Sequence, residues 1–132
     1  MFNPDAYLFR QEGIAALLAQ AESGTMVHAV LISGVSGTGK WTLATFLATA
    51  LLCQGEGRKP CGTCRACRQM RNLEHPDLIV LQKGVPIGPD EKSPKSTIPI
   101  GDIREMIRLT SIHPMEGDRH VILIRHAEDM NL

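Results

Sequence analysis

The stretch that most constrains how this chain can fold is Leu31-Ile32-Ser33-Gly34-Val35-Ser36-Gly37-Thr38-Gly39-Lys40-Trp41-Thr42. An apolar run from His28 to Ile32 leads into the pattern G-x-x-x-x-G-K, and a long apolar-faced segment follows at once. That is the strand, loop and helix order of a phosphate-cradling P-loop. Gly34, Gly37 and Gly39 carry no Cβ, so the backbone there can take positive φ and turn its N–H groups inward. Lys40 stands where an ammonium meets the outer phosphates of a nucleotide at a helix N-terminus. The candidate phosphate-binding residues are therefore Gly34, Gly37, Thr38, Gly39, Lys40 and Thr42.

The position after the lysine breaks the pattern. A P-loop places Ser or Thr there to ligate the magnesium carried by the nucleotide, and this chain has Trp41. An indole has one N–H donor and no acceptor, so it cannot ligate a metal. Thr42 is no simple substitute, because one step along a helix rotates the side chain by roughly 100°. ATP with magnesium is thus disfavoured. Two readings stay open: a cradle that holds phosphate without supporting hydrolysis, and a turn kept for its shape.

Length suits about one domain with a sizeable core. Fourteen basic and fourteen acidic residues cancel, so whole-chain charge argues for neither nucleic acid nor membrane. No apolar run approaches the ~20 residues that cross a bilayer, and the N-terminus lacks a basic segment followed by an apolar one. A cytoplasmic protein without membrane association is expected, a setting in which four cysteines are metal ligands or free thiols more often than disulfides.

In chain order, helical spacing of Ile14, Leu17, Leu18 and Ala21 predicts a first helix over residues 9–23, capped by Gly24. Residues 27–33 read as a buried parallel strand. The helix after the loop is predicted from Gly39 to Cys53, with Leu43, Phe46, Leu47, Ala50 and Leu51 on one face. A short helix over residues 68–73 is expected to end before His75-Pro76, and residues 77–81 to form a second strand. Residues 82–99, with four prolines and two glycines, read as an exposed loop. Helical spacing returns over residues 100–112, with Asp102 in the first turn and Pro114 as the stop. Val121-Ile122-Leu123-Ile124 reads as a third buried strand. An ATPase of this architecture would end that strand in Asp and Glu to serve the magnesium and the attacking water. Here Arg125 and His126 follow it.

All four cysteines, Cys53, Cys61, Cys64 and Cys67, fall within fifteen consecutive positions. Two overlapping C-x-x-C steps and a fourth thiol across a Gly/Pro loop supply four soft donors able to close a tetrahedron around zinc. A closed four-sulfur site has no open coordination position, so its expected work is to pin a loop within a module spanning residues 53–75. His75 stands near, but four sulfurs suffice, and a capping or turn contact is its expected role. Arg58, Lys59, Arg65, Arg68 and Arg71 surround the site. A zinc tetrathiolate carries about two net negative charges, so compensation is one reading of these cations and contact with DNA or an acidic partner the other.

The P-loop, the cysteine cluster, the run Leu73-Glu74-His75-Pro76-Asp77-Leu78, the segment Ile103-Arg104-Glu105 and the ending Ala127-Glu128-Asp129-Met130-Asn131 together resemble the N-terminal domain of bacterial DNA polymerase III clamp-loader subunits, the gamma/tau and delta-prime group. The resemblance implies a three-layer α/β P-loop NTPase domain of the AAA+ kind, with a parallel sheet and a zinc-binding insertion. Residues 1–132 would be the N-terminal part of that domain, continuing past Leu132. Motor subunits of the group keep the metal-binding hydroxyl and the strand-end acids, whereas delta-prime subunits commonly do not, so Trp41, Arg125 and His126 resemble delta-prime. The implied role is a non-hydrolysing stator in a hetero-pentamer with gamma/tau and delta, helping to load the sliding clamp on primed DNA as part of a DNA-directed DNA polymerase holoenzyme. The alternative is a gamma/tau-type DNA-dependent ATPase in which Thr42 rescues the magnesium site; an unrelated nucleotide kinase fits the cysteine cluster poorly.

Overall fold

The computed structural model describes residues 12–87 and 97–130. It is a small α/β structure of two compact units that divide between His75 and Pro76.

In the first unit, helix α1 spans Glu12–Ser23 and α2 spans Lys40–Leu52. Residues 9–11 of the predicted first helix lie outside the described residues. Gly24 at φ 73° ends α1, and Thr25 N–H reaches back to the Gln20 carbonyl at 3.0 Å, closing the last turn as the glycine cap predicts. Ile14 packs with Leu43, Phe46 and Leu47 of α2, and Leu17, Leu18, Met26 and Ile32 pack against that cluster. The opposite side of α2 is buried as well, at Thr45, Ala48, Thr49 and Leu52. The two threonine hydroxyls donate to the carbonyls of Thr42 and Thr45, so their burial leaves no polar atom unsatisfied. Helix α3, Arg65–Met70, packs on α2 and buries Ala66, Cys67 and Met70. It starts three residues before the predicted 68–73 because the Cys64 sulfur caps it, accepting from Cys67 N–H.

The predicted strand over residues 27–33 is irregular here. Val27, Val30 and Leu31 are 58, 43 and 82 % exposed. A strand exists only through hydrogen bonds to a neighbour, and among the described residues none pairs with this segment. Apolar sequence alone could not supply that partner.

In the second unit, strands β1, Leu78–Leu81, and β2, Val121–Ile124, pair in parallel with Leu78 opposite Val121 and Leu81 opposite Ile124. Helix α4, Ile100–Thr110, lies between them in sequence, as a parallel connection requires. Of the three expected strands, two form among the described residues. Ile79, Leu81, Val121 and Leu123 are buried, while Ile122 and Ile124 are 36 and 38 % exposed, so β2 is covered on one face instead of two. Helix α4 stops at Thr110, before the predicted 112, and Ile107 on its apolar side is 57 % exposed. The reading of residues 82–99 as exposed also needs correction at its end. Ile98 is fully buried, donates its N–H to the Asp129 carbonyl at 2.8 Å and forms a parallel bridge with Met130. The middle of that stretch, residues 88–96, lies outside the described residues.

Candidate phosphate loop and metal centre

Both candidate sites fall in the first unit, at the two ends of α2. At its N-terminus, Gly37 and Gly39 adopt φ 81° and 86° and Gly34 φ 154°, the values that only glycine takes without strain. Gly39 serves as the N-cap, with no side-chain cap and no acid in the first turn. No side-chain cap therefore covers the start of α2, and the positive end of its dipole faces this loop. The loop closes on itself: Lys40 Nζ donates to the Gly34 carbonyl and Thr38 Oγ1 to that of Val35 at 2.8 Å. Thr42 is exposed and Trp41 half-buried on the first turn. These sequence-predicted residues thus stand together on one loop and its helix.

In the second unit the residues after β2 are Arg125 and His126. His126 takes φ 56° and ends the strand direction. The acids further along are engaged locally, Glu128 with His126 at 3.4 Å and Asp129 with Lys83 at 3.5 Å.

At the other end of α2, Cys53 is the C-cap, and the chain loops out and back to place Cys61, Cys64 and Cys67 beside it. The four sulfurs lie within 4.8 Å of one another, with Cys61 to Cys67 and Cys53 to Cys64 each at 3.9 Å. Sulfurs bound at about 2.3 Å to one tetrahedral zinc stand about 3.8 Å apart, whereas a disulfide needs about 2.05 Å. The separation fits a shared metal and excludes a disulfide. Backbone N–H groups aim at the sulfurs: Gly55 and Cys61 at Cys53 (both 3.4 Å), Cys64 at Cys61 (3.3 Å) and Cys67 at Cys64 (3.4 Å). At Cys61 and Cys64 that environment favours thiolate. The N–H groups of Thr63 and Cys64, with the Thr63 hydroxyl, draw the Cys61 thiol down to about 5. At Cys64 burial opposes ionisation, yet the N–H groups of Cys67 and Gln54 outweigh it and the thiol lies below its ordinary value. Burial pushes Cys53 and Cys67 up. The donor set and its spacing therefore suit a structural metal ion. His75 is buried but is not among these ligands.

The family described as DNA polymerase III, delta subunit, matches residues 9–132. The chain belongs to that family. Among curated relatives, this DNA polymerase III delta family member is similar to DNA polymerase III subunit delta' of Yersinia pestis, with 34% identity over 115 residues, which are 85% of this chain and 31% of the relative. Similarity to subunit delta' of Bacillus subtilis (strain 168) is 33% over 109 residues, 83% of this chain and 30% of the relative. Subunit tau of Escherichia coli (strain K12) is 33% identical over 116 residues, 86% of this chain and 16% of that protein. The chain thus spans about a third of the length of the delta' relatives.

Three arrangements in this family member depend on partners that the sequence did not supply. Gly55 packs so closely that an added Cβ would stand 2.7 Å from the Cys61 sulfur. Asp77, fully buried ahead of β1, accepts the N–H groups of Met115, Glu116 and Gly117 at 2.6, 3.0 and 2.7 Å. Lys59 and Arg71 hold carbonyls of the cysteine loop, at Cys53 (3.2 Å) and Gly62 (2.9 Å). An acid directly before an apolar run was the one signal for Asp77, and the basic cluster marked Lys59 and Arg71 but not the carbonyls they hold; nothing local marked Gly55. Among the described residues no helix is long and apolar enough to cross a membrane.

Proposed function

We propose that this chain is the N-terminal part of a delta-prime-type subunit of the DNA polymerase III clamp loader, a non-hydrolysing stator in DNA replication. Its domain would be an AAA+ P-loop domain with a zinc module over residues 53–75. Its partners would be gamma/tau and delta in a hetero-pentamer, the sliding clamp, and primed DNA through the complex. The observation that carries the reading is Trp41 in place of the hydroxyl that would seat magnesium, on a loop whose glycine geometry and lysine are otherwise kept. The carboxylate-free end of β2 and the relatives named as delta' subunits support it.

In this reading Gly34, Gly37, Thr38, Gly39, Lys40 and Thr42 retain an anion cradle whose N–H groups and ammonium can hold phosphate. No oxygen donor stands directly after Lys40, where the metal site would need it. Cys53, Cys61, Cys64 and Cys67 would hold zinc, which when bound supplies a closed tetrahedral crosslink and no reactive position. That crosslink ties the C-terminal end of α2 to α3. Similarity to tau subunits favours one other reading, a motor ATPase. Steady-state ATPase on the full-length protein with primed DNA, compared with Lys40→Ala, separates the two. The stator predicts no Lys40-dependent turnover, and turnover that disappears in Lys40→Ala establishes the motor.

A further inference from the structure

We infer that Lys59 and Arg71 are positioning residues for the metal centre, each bracing through a single peptide group an N–H that serves one cluster sulfur. The inference rests on the zinc reading above. Arg71 Nη2 donates to the Gly62 carbonyl at 2.9 Å. That oxygen belongs to the Gly62–Thr63 peptide, whose N–H is the one Thr63 gives to the Cys61 sulfur. Lys59 Nζ donates to the Cys53 carbonyl at 3.2 Å. That oxygen belongs to the Cys53–Gln54 peptide, whose N–H is the one Gln54 gives to the Cys64 sulfur. In a trans peptide the C=O and N–H point in opposite directions. The order cation, carbonyl, amide and sulfur therefore occurs twice, from opposite sides of the cluster sequence.

A cation on the carbonyl does two things. It fixes the peptide plane, so that the N–H is held toward the sulfur, and it polarises the group, strengthening the bond on its far side by about 10–30%. The sulfurs so served, Cys61 and Cys64, are the two half-buried ones, where water competes for the same N–H groups; Cys53 and Cys67 are buried. The charge also balances, since two cations face a tetrathiolate carrying about two net negative charges. Of the five basic residues around the cysteines, these two are thus engaged with carbonyls of the loop, which favours compensation over a nucleic-acid contact for them.

The test is zinc affinity of the full chain, measured by competition with a chromophoric chelator, together with the thiolate-to-cobalt charge-transfer band after cobalt substitution. Arg71→Met and Lys59→Met are expected to weaken zinc by about 10-fold each, the scale seen when an outer partner of a metal ligand is lost. Each should also move the cobalt band to longer wavelength, because a sulfur that loses an N–H donor gives electrons more readily. Arg71→Lys and Lys59→Arg keep the charge and should recover most of the affinity, and Arg68→Met, an exposed change on α3, should leave both readouts unmoved. Methionine variants with wild-type affinity and an unmoved band overturn the bracing role, as does the same loss in Arg68→Met. Failure of the unaltered chain to take up stoichiometric zinc overturns the metal reading instead, and is seen before any variant is made.

Discussion

Replacing Asp77 tests whether one buried carboxylate organises the second unit. Its Oδ1 takes the N–H of Met115, and its Oδ2 those of Glu116 and Gly117. Its own carbonyl accepts from Val121, the first residue of β2, at 3.0 Å. One residue therefore fixes both the turn that precedes β2 and the start of the β1–β2 ladder. A hydrogen bond to a charged group contributes about 1.5–3 kcal/mol net. Three such bonds to one carboxylate are not additive, and the turn amides are near enough to solvent to regain some water. The expected cost of Asp77→Ala is therefore about 3–4 kcal/mol, at the severe end for single substitutions. Asp77→Asn can keep two of the three bonds with its oxygen in the Oδ2 position, but its NH₂ then faces the Met115 N–H. About 1–2 kcal/mol is expected there, from one lost bond and one donor facing another. Urea unfolding followed by circular dichroism gives the order, and amide hydrogen exchange at Met115, Glu116 and Gly117 localises it. Both variants unfolding within about 0.5 kcal/mol of the original chain, the range of an ordinary surface change, or turn amides that keep their protection, would refute the argument.

Other outcomes follow from the two ends of α2. Gly55→Ala places a Cβ 2.7 Å from the Cys61 sulfur and 2.9 Å from its Cβ. The loop must then shift at a cost of about 1–3 kcal/mol, and chelator competition should show weaker zinc binding with the folded content of α1 and α2 unchanged. Zinc uptake near pH 7 should release protons, because burial keeps the Cys53 and Cys67 thiols protonated in the metal-free chain while Cys61, near 5, is already ionised. Affinity should therefore fall as pH is lowered, since ligation needs thiolates. Calorimetry in buffers of different ionisation enthalpy counts the protons, and a buffer-independent heat would contradict the assignment. Trp41→Thr restores an oxygen donor beside Lys40. Nucleotide titration should then become magnesium-dependent while turnover stays absent, since Arg125 and His126 remain; magnesium dependence already present with Trp41 would sink the coordination argument.

What the sequence determined by itself is local. The i, i+3, i+4 spacing around Leu43, Phe46 and Leu47 announces α2, because a helix satisfies its backbone from within a few residues. The glycines before Lys40 announce a turn of positive φ, because a missing Cβ acts at its own position. The cysteine spacing announces a four-sulfur cluster, because a short loop limits where its thiols can go. Tertiary structure decided whatever needs a distant partner. Residues 27–33 look like a strand in apolar content, yet pairing is a property of two segments, and none of the described residues pairs with them. Ile98 sits in a stretch rich in proline, yet a bridge to Met130 buries it. Asp77 and Arg71 are two charges among twenty-eight until the fold sets one beneath three turn amides and the other on the back of a peptide that serves a sulfur. Their roles come from direction and distance, which a chain acquires only when remote segments meet.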